Sequence, residues 1–373
     1  MPLCSIGQYN NNSWLAQHRG EKRVRISQLE VDGNGNALVA TNFDKKYDGV
    51  LQTKSTSAVV IGNDSFDGYP NLTLSQYNQE GNINWHLTLK SKDAIYASSL
   101  KVDHENNYYL GGSFKHDAFF ASTDGKSQYI PFQMLESHQR SYHRFYIAKY
   151  TNKGELLWVK TGLSWDHAFC RQLICDKKGN VYAWVYAPSS TLVFDDYIFQ
   201  NINGRRYIGR NYFVLAKIDK SGTIQWITRT GDNIQPKEIR FNNNDDIELL
   251  AIASIHKYSF LYLDGTETKI NDSDKFAHNT MSKSYIISSK TGKITKESEL
   301  ISDDYTGYPI QTFPSKNGLY TTILATRQPN NSLQKIELGL KRFTLYRRGK
   351  MVALSKLDSK GKIDWSFCIK ADM

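Results

Sequence analysis

The chain of 373 residues carries 47 Lys and Arg residues against 37 Asp and Glu residues, a formal net charge of +10, and it is rich in Tyr (23) and Phe (17). No run of about 18 apolar residues is present, so the sequence excludes a membrane-spanning helix. The aromatic content favours strands, and no segment shows the sustained apolar period of about 3.6 residues that predicts an amphipathic helix. The composition therefore predicts an all-β chain.

A short phrase returns six times, and each copy is a strand, a polar turn and a second strand that ends in Trp or, once, in Lys. The copies are Leu3–Trp14, Leu72–Trp85, Phe145–Trp158, Phe213–Trp226, Tyr285–Lys296 and Val352–Trp365. Their last residues, at positions 14, 85, 158, 226, 296 and 365, are 68 to 73 residues apart. A regular period in a β-type pattern predicts repeated sheets.

A second phrase lies between these copies and is also a hairpin, with apolar alternation, a polar turn and a β-rich run. Its clear copies are Ile26–Phe43, Ala97–Phe114 and Cys170–Ala187, and its looser copies are Lys237–Ser254 and Ile310–Arg327. One repeat thus contains strands A and B, a B–C segment of roughly 25 residues, which is long for a loop, and strands C and D. Alternating runs at Ser190–Phe199 and Gln334–Arg347 predict short extra strands in the B–C segments.

Four-stranded units at this spacing are typical of β-propellers, whose twisted sheets pack face to face around a channel. The sequence predicts one domain over residues 1–373, with five complete four-stranded blades and an N-terminal half blade. The half unit covers 1–20, and the repeats cover about 21–91, 92–164, 165–231, 232–302 and 303–373. Three explanations of the half blade stay open: a reduced first sheet in a six-sheet ring, which we favour, completion by an upstream segment, or β-addition of strands from another chain.

The third copy shows the repeat pattern most fully. Its signature positions are Asp166, Asp176, Gly179, Asn180, Tyr182, Lys217, Gly222 and Trp226. In this pattern the chain resembles the SBBP repeat family of bacterial surface and secreted propeller proteins. The resemblance implies a β-propeller, a role in adhesion or binding, and an extracellular or cell-surface location. The fourth copy departs from the pattern, with Asn243, Asn244 and Asp245 in its turn and Lys296 in place of the Trp.

Basic residues cluster in the B–C segments, which would leave a propeller on one face of the ring and could form a basic rim there. The predicted ligand-binding residues of this basic face are Arg205, Arg206, Arg210, Arg342, Arg347 and Arg348. A second group is His138, Arg140, His143 and Arg144. Interleaved aromatic residues such as Tyr207 and Phe343 fit stacking on a sugar, or they face the sheet interior as ordinary strand residues.

The positive charge favours a glycan, an anionic polymer or a lipid surface as partner. Scattered surface lysines that keep a protein soluble would give the same net charge. A protein partner is the other candidate for the B–C face. Nucleic acid is disfavoured, because the basic residues are spread over several repeats and do not form one stripe. The sequence thus predicts a glycan, an anionic polymer or a protein as the partner.

An acidic residue follows four of the Trp or Lys positions after six to eight residues, in the D–A connection that would lie at the channel mouth. The four are Asp93, Asp166, Asp232 and Asp304. Such carboxylates bind a cation or sugar hydroxyls, or each caps its own turn through backbone N–H groups. His167, next to Asp166, gives the alternative function: a polysaccharide hydrolase or lyase that uses acid–base chemistry at the channel mouth.

No metal or cofactor is predicted. The DGNGN sequence at Asp32–Asn36 lacks the register and the terminal Glu of an EF-hand, which favours a hairpin turn. Cys170 and Cys175 are five residues apart on one predicted strand, so we expect buried free thiols on opposite faces of that strand. Cys4 and Cys368 complete the set of four, which has no zinc-finger spacing and no disulfide framework.

Catalytic signatures such as G-x-S-x-G, H-E-x-x-H and the P-loop are absent from the sequence. The N-terminal stretch MPLCSIGQYNNNSW has neither the basic nor the apolar region of a signal peptide. We therefore expect either a cytosolic protein or a mature or trimmed form, and the family resemblance favours the second. The predicted function is a non-catalytic binding propeller that engages its ligand through the B–C segments.

Overall fold

The structure is a computed structural model of the chain. It describes residues 3–7, 15–19, 24–43, 50–52, 58–60, 71–131, 143–164, 167–187, 191–200, 213–230, 234–254, 258–262, 264, 266–270, 280–299, 307–315, 318–326, 334–338, 341–345, 350–357 and 363–371. Within these ranges every regular element is a β-strand, so the all-β prediction is confirmed there. None of these residues belongs to a helix that could cross a membrane.

The chain divides into two compact units, Met1–Ile227 and Thr228–Met373. The strands of the first unit are β1 (Leu3–Gly7), β2 (Leu15–Arg19), β3 (Val24–Val31), β4 (Ala37–Phe43), β5 (Val50–Gln52), β6 (Ala58–Val60), β7 (Asn71–Tyr77), β8 (Ile83–Ser91), β9 (Ala94–Val102), β10 (Tyr108–Lys115), β11 (Ala118–Phe120), β12 (Gln128–Ile130), β13 (Arg144–Tyr150), β14 (Leu156–Ser164), β15 (Phe169–Cys175), β16 (Val181–Tyr186), β17 (Thr191–Phe194), β18 (Tyr197–Gln200), β19 (Phe213–Ile218) and β20 (Ile224–Thr230), whose last three residues lie past the division.

The strands of the second unit form two further complete repeats. They are β21 (Ile234–Phe241), β22 (Ile247–Ser254), β23 (Tyr258–Tyr262), β24 (Glu267–Ile270), β25 (Thr280–Ile287), β26 (Ile294–Glu299), β27 (Gly307–Ser315), β28 (Gly318–Thr326), β29 (Gln334–Leu338), β30 (Lys341–Leu345), β31 (Lys350–Leu357) and β32 (Ile363–Ala371). The prediction of a single domain stays a prediction.

Each complete repeat forms an antiparallel A–B–C–D sheet, as the sequence predicts. In the first unit these sheets are β3-β4-β7-β8, β9-β10-β13-β14 and β15-β16-β19-β20. The second unit contains β21-β22-β25-β26 and β27-β28-β31-β32. The N-terminal half unit contributes only its C and D strands, β1 and β2, which pair with each other. Alternating apolar residues and short polar turns produce these hairpins, because side chains of successive strand residues point to opposite faces.

The B–C segments of the first four complete repeats add a hairpin to the D strand before them. β11 pairs with β8 through Ala118 and Ser91, and β17 pairs with β14 through Phe194 and Gly162. β5 and β6 extend the β1–β2 pair in the same way. In the second unit β23 pairs with the last residues of β20, and β29 pairs with β30. The extra strands predicted at Ser190–Phe199 and Gln334–Arg347 are confirmed, but the sheets of two repeats in the first unit are therefore six-stranded, where four strands were predicted.

Consecutive sheets of the first unit pack face to face. β9 lies across β3, β4, β7 and β8, and β15 lies across β9, β10 and β13. The apolar residues between the first two complete sheets form one buried cluster that includes Leu38, Leu74, Leu100, Leu110 and Tyr146. Burial of this surface is the main favourable term in the fold, at about 25 cal/mol for each Å² of apolar area.

A one-residue bulge interrupts the A strand of each complete repeat at the same position. The bulged residues are Ser27, Ser98, Arg171, Lys237 and Ile310. A bulge adds one residue to one strand of a pair and so reverses the alternation of side chains beyond it. The sequence pattern gave no sign of these bulges.

The bulge in β15 corrects the prediction for the two cysteines. It lies between Cys170 and Gln172, so the odd spacing of Cys170 and Cys175 becomes an even one. Cys170 Sγ faces β10, since a Cβ added to Gly111 would stand 2.6 Å from it. In the register, Cys170 is opposite Val185 and Cys175 is opposite Val181, and these two β16 residues are four apart with no bulge between them, so both thiols lie on one face. Both free thiols thus face the same sheet, and the prediction of opposite faces is wrong.

Candidate functional site

The two ends of each sheet carry different residues. At one end, which we call the turn end, lie the A–B and C–D turns. At the other, the B–C end, the B–C segments and the D–A connections meet. A group of ionisable and polar side chains lies at the B–C end of the second and third complete repeats. This His143 cluster consists of Asp93, Ser113, Lys115, His143 and His167.

His143 and His167 bring two neighbouring repeats into contact. The two imidazole rings are 5.0 Å apart between centroids, and the backbone N–H of His143 donates to Nδ1 of His167 at 3.5 Å. The backbone N–H of Ala168 donates to the carbonyl of His143 at 2.8 Å. Sequence reasoning singled out both histidines separately, but their contact depends on the packing of the β14–β15 connection against the start of β13.

The surroundings of His143 keep its imidazole neutral. Its ring stacks on Tyr96 at 5.9 Å between centroids, and its Nδ1 lies 3.4 Å from Ser113 Oγ. Burial first, and then the charges of His167 and Lys115, lower the pKa of His143 to about 4, against the opposing charge of Asp93. The cluster can therefore accept or donate hydrogen bonds through His143 without carrying its charge at neutral pH.

Asp93 is the predicted channel-mouth carboxylate that the structure describes. It lies in the bend between β8 and β9 and forms an ion pair with Lys115 at the end of β10. His116 Nε2 is 4.0 Å from the same carboxylate oxygen. The Asp93 carboxylate, just before β9, is thus paired with a cation at the end of the neighbouring strand β10. The other three residues of that group, Asp166, Asp232 and Asp304, lie outside the described residues.

Most of the predicted basic face also lies outside the described residues. This applies to Arg205, Arg206, Arg210, Arg347 and Arg348. Arg342 lies in β30, where its backbone is opposite Glu337 of β29. The prediction of a shared basic face stays a prediction.

Arg144 does not belong to an exposed basic group. It begins β13 and is buried, where it donates from Nη1 to the carbonyl of Pro131 at 2.9 Å and lies over the Phe114 ring at 5.1 Å. Burial lowers the pKa of Arg144 to about 10. The expectation that Arg144 contributes to a basic rim is therefore wrong, because its guanidinium packs into the sheet and caps a B–C carbonyl.

At the turn end, the repeated acidic residues serve the turns. Asp32 Oδ1 accepts the backbone N–H of Asn34 at 2.9 Å and that of Asn36 at 2.8 Å. Asp103 and Asp176 accept the same pair of amides in their own turns. The prediction of hairpin turns is confirmed, since these carboxylates are used by backbone donors.

The recurring Trp residues connect one repeat to the next, a role that sequence reasoning missed. Trp85 Nε1 donates to the carbonyl of Asn152 at 2.9 Å, and Trp158 Nε1 donates to the carbonyl of Lys220 at 3.3 Å. Both acceptors lie in the C–D turn of the following repeat. A one-residue bulge immediately before each Trp directs the indole toward that turn. The recurrence of Trp at one position of the repeat was the signal available in the sequence.

The recurring Lys of strand C is a scaffold residue as well. Lys149 is 3% exposed, lies 3.8 Å from the Asp103 carboxylate and donates to the Lys220 carbonyl at 3.2 Å. Its Nζ stands over the Tyr109 ring at 5.0 Å. Burial lowers the pKa of Lys149, and Asp103 opposes that shift. The signature residues of the repeat therefore stabilise the scaffold.

A metal centre has no support in the described part of the chain. Among the side chains that the structure describes there, no three His, Cys, Asp or Glu residues come together as a set of metal ligands. The chemistry available in the His143 cluster is hydrogen bonding and charge pairing from the partly exposed Asp93 and Lys115 and the exposed His167. Such groups suit contact with a polar or charged ligand.

No protein-family model matches the chain. An uncharacterized WD repeat-containing protein of Acanthamoeba polyphaga mimivirus is 24% identical to it over 234 residues, which is 59% of this chain and 16% of the viral protein. The chain thus spans less than a fifth of the length of that relative. A solved Bacteroides caccae protein of unknown function aligns with 80% of this chain and 90% of its own length, at 16% identity and a TM-score of 0.28.

The repeated antiparallel sheets define the class of the protein, which has an all-β, propeller-like repeat fold. The WD repeat relative agrees with this class. The predicted resemblance to SBBP repeats stays a prediction.

Proposed function

We propose that this chain is a non-catalytic binding or interaction propeller whose ligand contacts the B–C end of the sheets. The observation that carries this proposal is the difference between the two ends. At the turn end, the repeated Asp, Lys and Trp residues bond to the scaffold. At the B–C end, His143 and His167 stand at positions where the sequence of the other repeats has no His, and His167 is exposed. Residues that vary between repeats are free to specify a ligand.

The proposed ligand is a glycan, an anionic polymer or a protein. The net charge of +10 and the predicted basic face of Arg205, Arg206, Arg347 and Arg348 support the first two. The distant WD repeat relative supports an interaction role in general. An extracellular or cell-surface location and a six-sheet ring with a reduced first sheet belong to the same proposal, and both rest on the repeat pattern of the sequence.

The test is a binding screen of glycans and polyanions at two salt concentrations, about 0.05 M and about 0.5 M, because screening weakens exposed charge contacts at the higher one. The wild-type chain is compared with a variant that replaces Arg205, Arg206, Arg347 and Arg348 by Ala. We expect salt-sensitive binding that this variant loses. A second variant, His167→Ala, tests whether the His143 cluster belongs to the same surface.

The matched control removes four positive charges from the turn end. It replaces Lys153, Lys177, Lys178 and Lys290, all exposed, by Ala. Equal loss of binding in both quadruple variants would show a net-charge effect and refute the B–C surface. Release of reducing ends from a bound glycan would refute the non-catalytic role. Absence of binding to every glycan and polyanion would eliminate those two ligand classes.

A further inference from the structure

The residues that lead into the third complete repeat alternate between buried and accessible side chains. Ala168 and Cys170 are 0% exposed, whereas His167 and Arg171 are exposed and Phe169 is partly exposed. Such alternation is typical of an extended chain, in which successive side chains point to opposite sides. His167, Phe169 and Arg171, which we call the β15 row, therefore share one accessible side at the B–C end of this repeat.

Arg171 stands at a repeat position that the first two complete repeats use for the scaffold. It is the bulged residue of its A strand, as Ser27 and Ser98 are of theirs. The hydroxyls of Ser27 and Ser98 each donate to a backbone carbonyl of the neighbouring B strand. The side chain of Arg171 is instead exposed, and its guanidinium lies over the Phe169 ring. In the third repeat this position is thus available for another role.

The neighbouring rings hold the guanidinium in place. The Cζ atom of Arg171 lies 4.8 Å from the centroid of the Phe169 ring, a cation–π contact. Phe169 is opposite Tyr186 in the register, and the centroids of these two rings are 4.9 Å apart. No ion pair between described residues includes Arg171. The guanidinium therefore presents its N–H donors and its full charge from a position that packing restrains.

The β15 row matches the two parts of a carboxylated sugar. A guanidinium binds a carboxylate through two parallel N–H···O hydrogen bonds, a geometry that an ammonium group does not provide. The rings of Phe169 and His167 provide an apolar surface for the C–H groups of a sugar ring, and ligand sites commonly combine such rings with a few polar groups. A polyphosphate would bind Arg171 alone, because it has no apolar surface for the two rings.

We propose that the β15 row binds a uronic acid residue of a glycan. The carboxylate of the sugar accepts two hydrogen bonds from Arg171, and the sugar ring lies against Phe169 and His167. This inference rests on the proposed function, because it names the ligand class of the B–C end. It assigns the contact to residues that are not part of the predicted basic face.

The test is titration calorimetry of the full chain with an oligogalacturonate and with the methyl ester of the same oligosaccharide. The ester keeps the sugar rings and removes the negative charges. We expect the wild-type chain to bind the free acid about tenfold or more tighter than the ester. Arg171→Gln should weaken binding of the acid about tenfold or more and change binding of the ester less than about twofold. A merely structural role of Arg171 would weaken both ligands equally.

The matched control is Arg25→Gln. Arg25 is an exposed cation of β3, two residues before the bulge, as Phe169 is in β15. This variant removes the same charge from the corresponding part of another repeat and should leave the affinity for the acid unchanged. Thermal denaturation should confirm that both variants are folded. Equal weakening in the two variants, or equal affinity of the wild-type chain for acid and ester, would overturn the inference.

Two further outcomes separate this inference from the proposed function. The inference fails and the proposed function stands if Arg171→Gln binds the acid normally while the quadruple Arg→Ala variant of the basic face loses it. Both the inference and the glycan part of the proposed function fail if the wild-type chain binds no glycan. An oligoglutamate that binds more tightly than the oligogalacturonate, and that Arg171→Gln does not bind, would also overturn the inference and assign the β15 row to an acidic peptide.

Discussion

Replacement of Trp85 by Phe tests whether the indole of one repeat holds the turn of the next. Trp85 is 8% exposed, and its Nε1 donates to the Asn152 carbonyl at 2.9 Å. That carbonyl keeps a second donor, Gln76 Nε2 at 3.0 Å, so the lost hydrogen bond costs about 1 kcal/mol. The smaller ring leaves unfilled space beside Tyr108, which costs about 1 to 2 kcal/mol more. We expect a total loss of about 2 to 3 kcal/mol in the free energy of unfolding.

Urea denaturation followed by far-UV circular dichroism measures this loss, and hydrogen exchange at residues 151–154 measures the opening of the turn. Trp158→Phe is the matched control, because its bond to Lys220 is 3.3 Å long and more exposed. It should cost about 1 kcal/mol. The reasoning fails if Trp85→Phe costs less than about 0.5 kcal/mol, the range of ordinary surface substitutions, or if exchange in the turn does not change.

Three further substitutions test other parts of the first unit. Gly154→Ala should lower the free energy of unfolding more than Gly125→Ala does. Both glycines have a positive φ, 82° and 79°. The new methyl at 154 would stand 2.8 Å from the indole of the preceding repeat, whereas the methyl at 125 would meet open space. Lys149→Ala leaves the buried Asp103 carboxylate without its cation and should cost about 3 kcal/mol, measured by urea denaturation, with Lys149→Met costing less. Because the folded pKa of His143 is about 4 and the unfolded value about 6.5, the unfolded chain binds protons first on acidification. Stability should fall by at most about 3 kcal/mol between pH 6.5 and 4 through this residue, and His143→Gln should flatten that part of the curve.

The periodic parts of the structure could be predicted from the sequence. The Trp phrase and its partner hairpin give the A–B–C–D order of every complete repeat, because alternating apolar residues and Asn- or Asp-rich turns act locally. Alternation at Ser190–Phe199 was enough to predict β17 and β18. The strand to which they pair could not be predicted, because the edge of β14 is a tertiary feature.

Single-residue irregularities escaped the sequence pattern. The bulges at Ser98 and Arg171 have no common residue type, and the bulge in β15 was enough to reverse the expected orientation of Cys175 relative to Cys170. The burial of Arg144 was missed for a similar reason. The sequence around a basic residue at the start of a strand looks the same whether its side chain faces solvent or the core. The contact between His143 and His167 needs two repeats to pack, and no local signal encodes it.

The hairpins that extend the sheets also affect how such a chain can lengthen or shorten during evolution. Each of the first four complete repeats carries, in its B–C segment, two strands that finish the sheet before it. Deletion of one repeat therefore removes its own sheet and also the outer edge of its predecessor, and the next repeat must supply a hairpin that fits the exposed D strand. Pairs such as Ala118 with Ser91 and Phe194 with Gly162 set that fit. One repeat of this chain can thus replace another only where its B–C hairpin fits the D strand of the repeat before it.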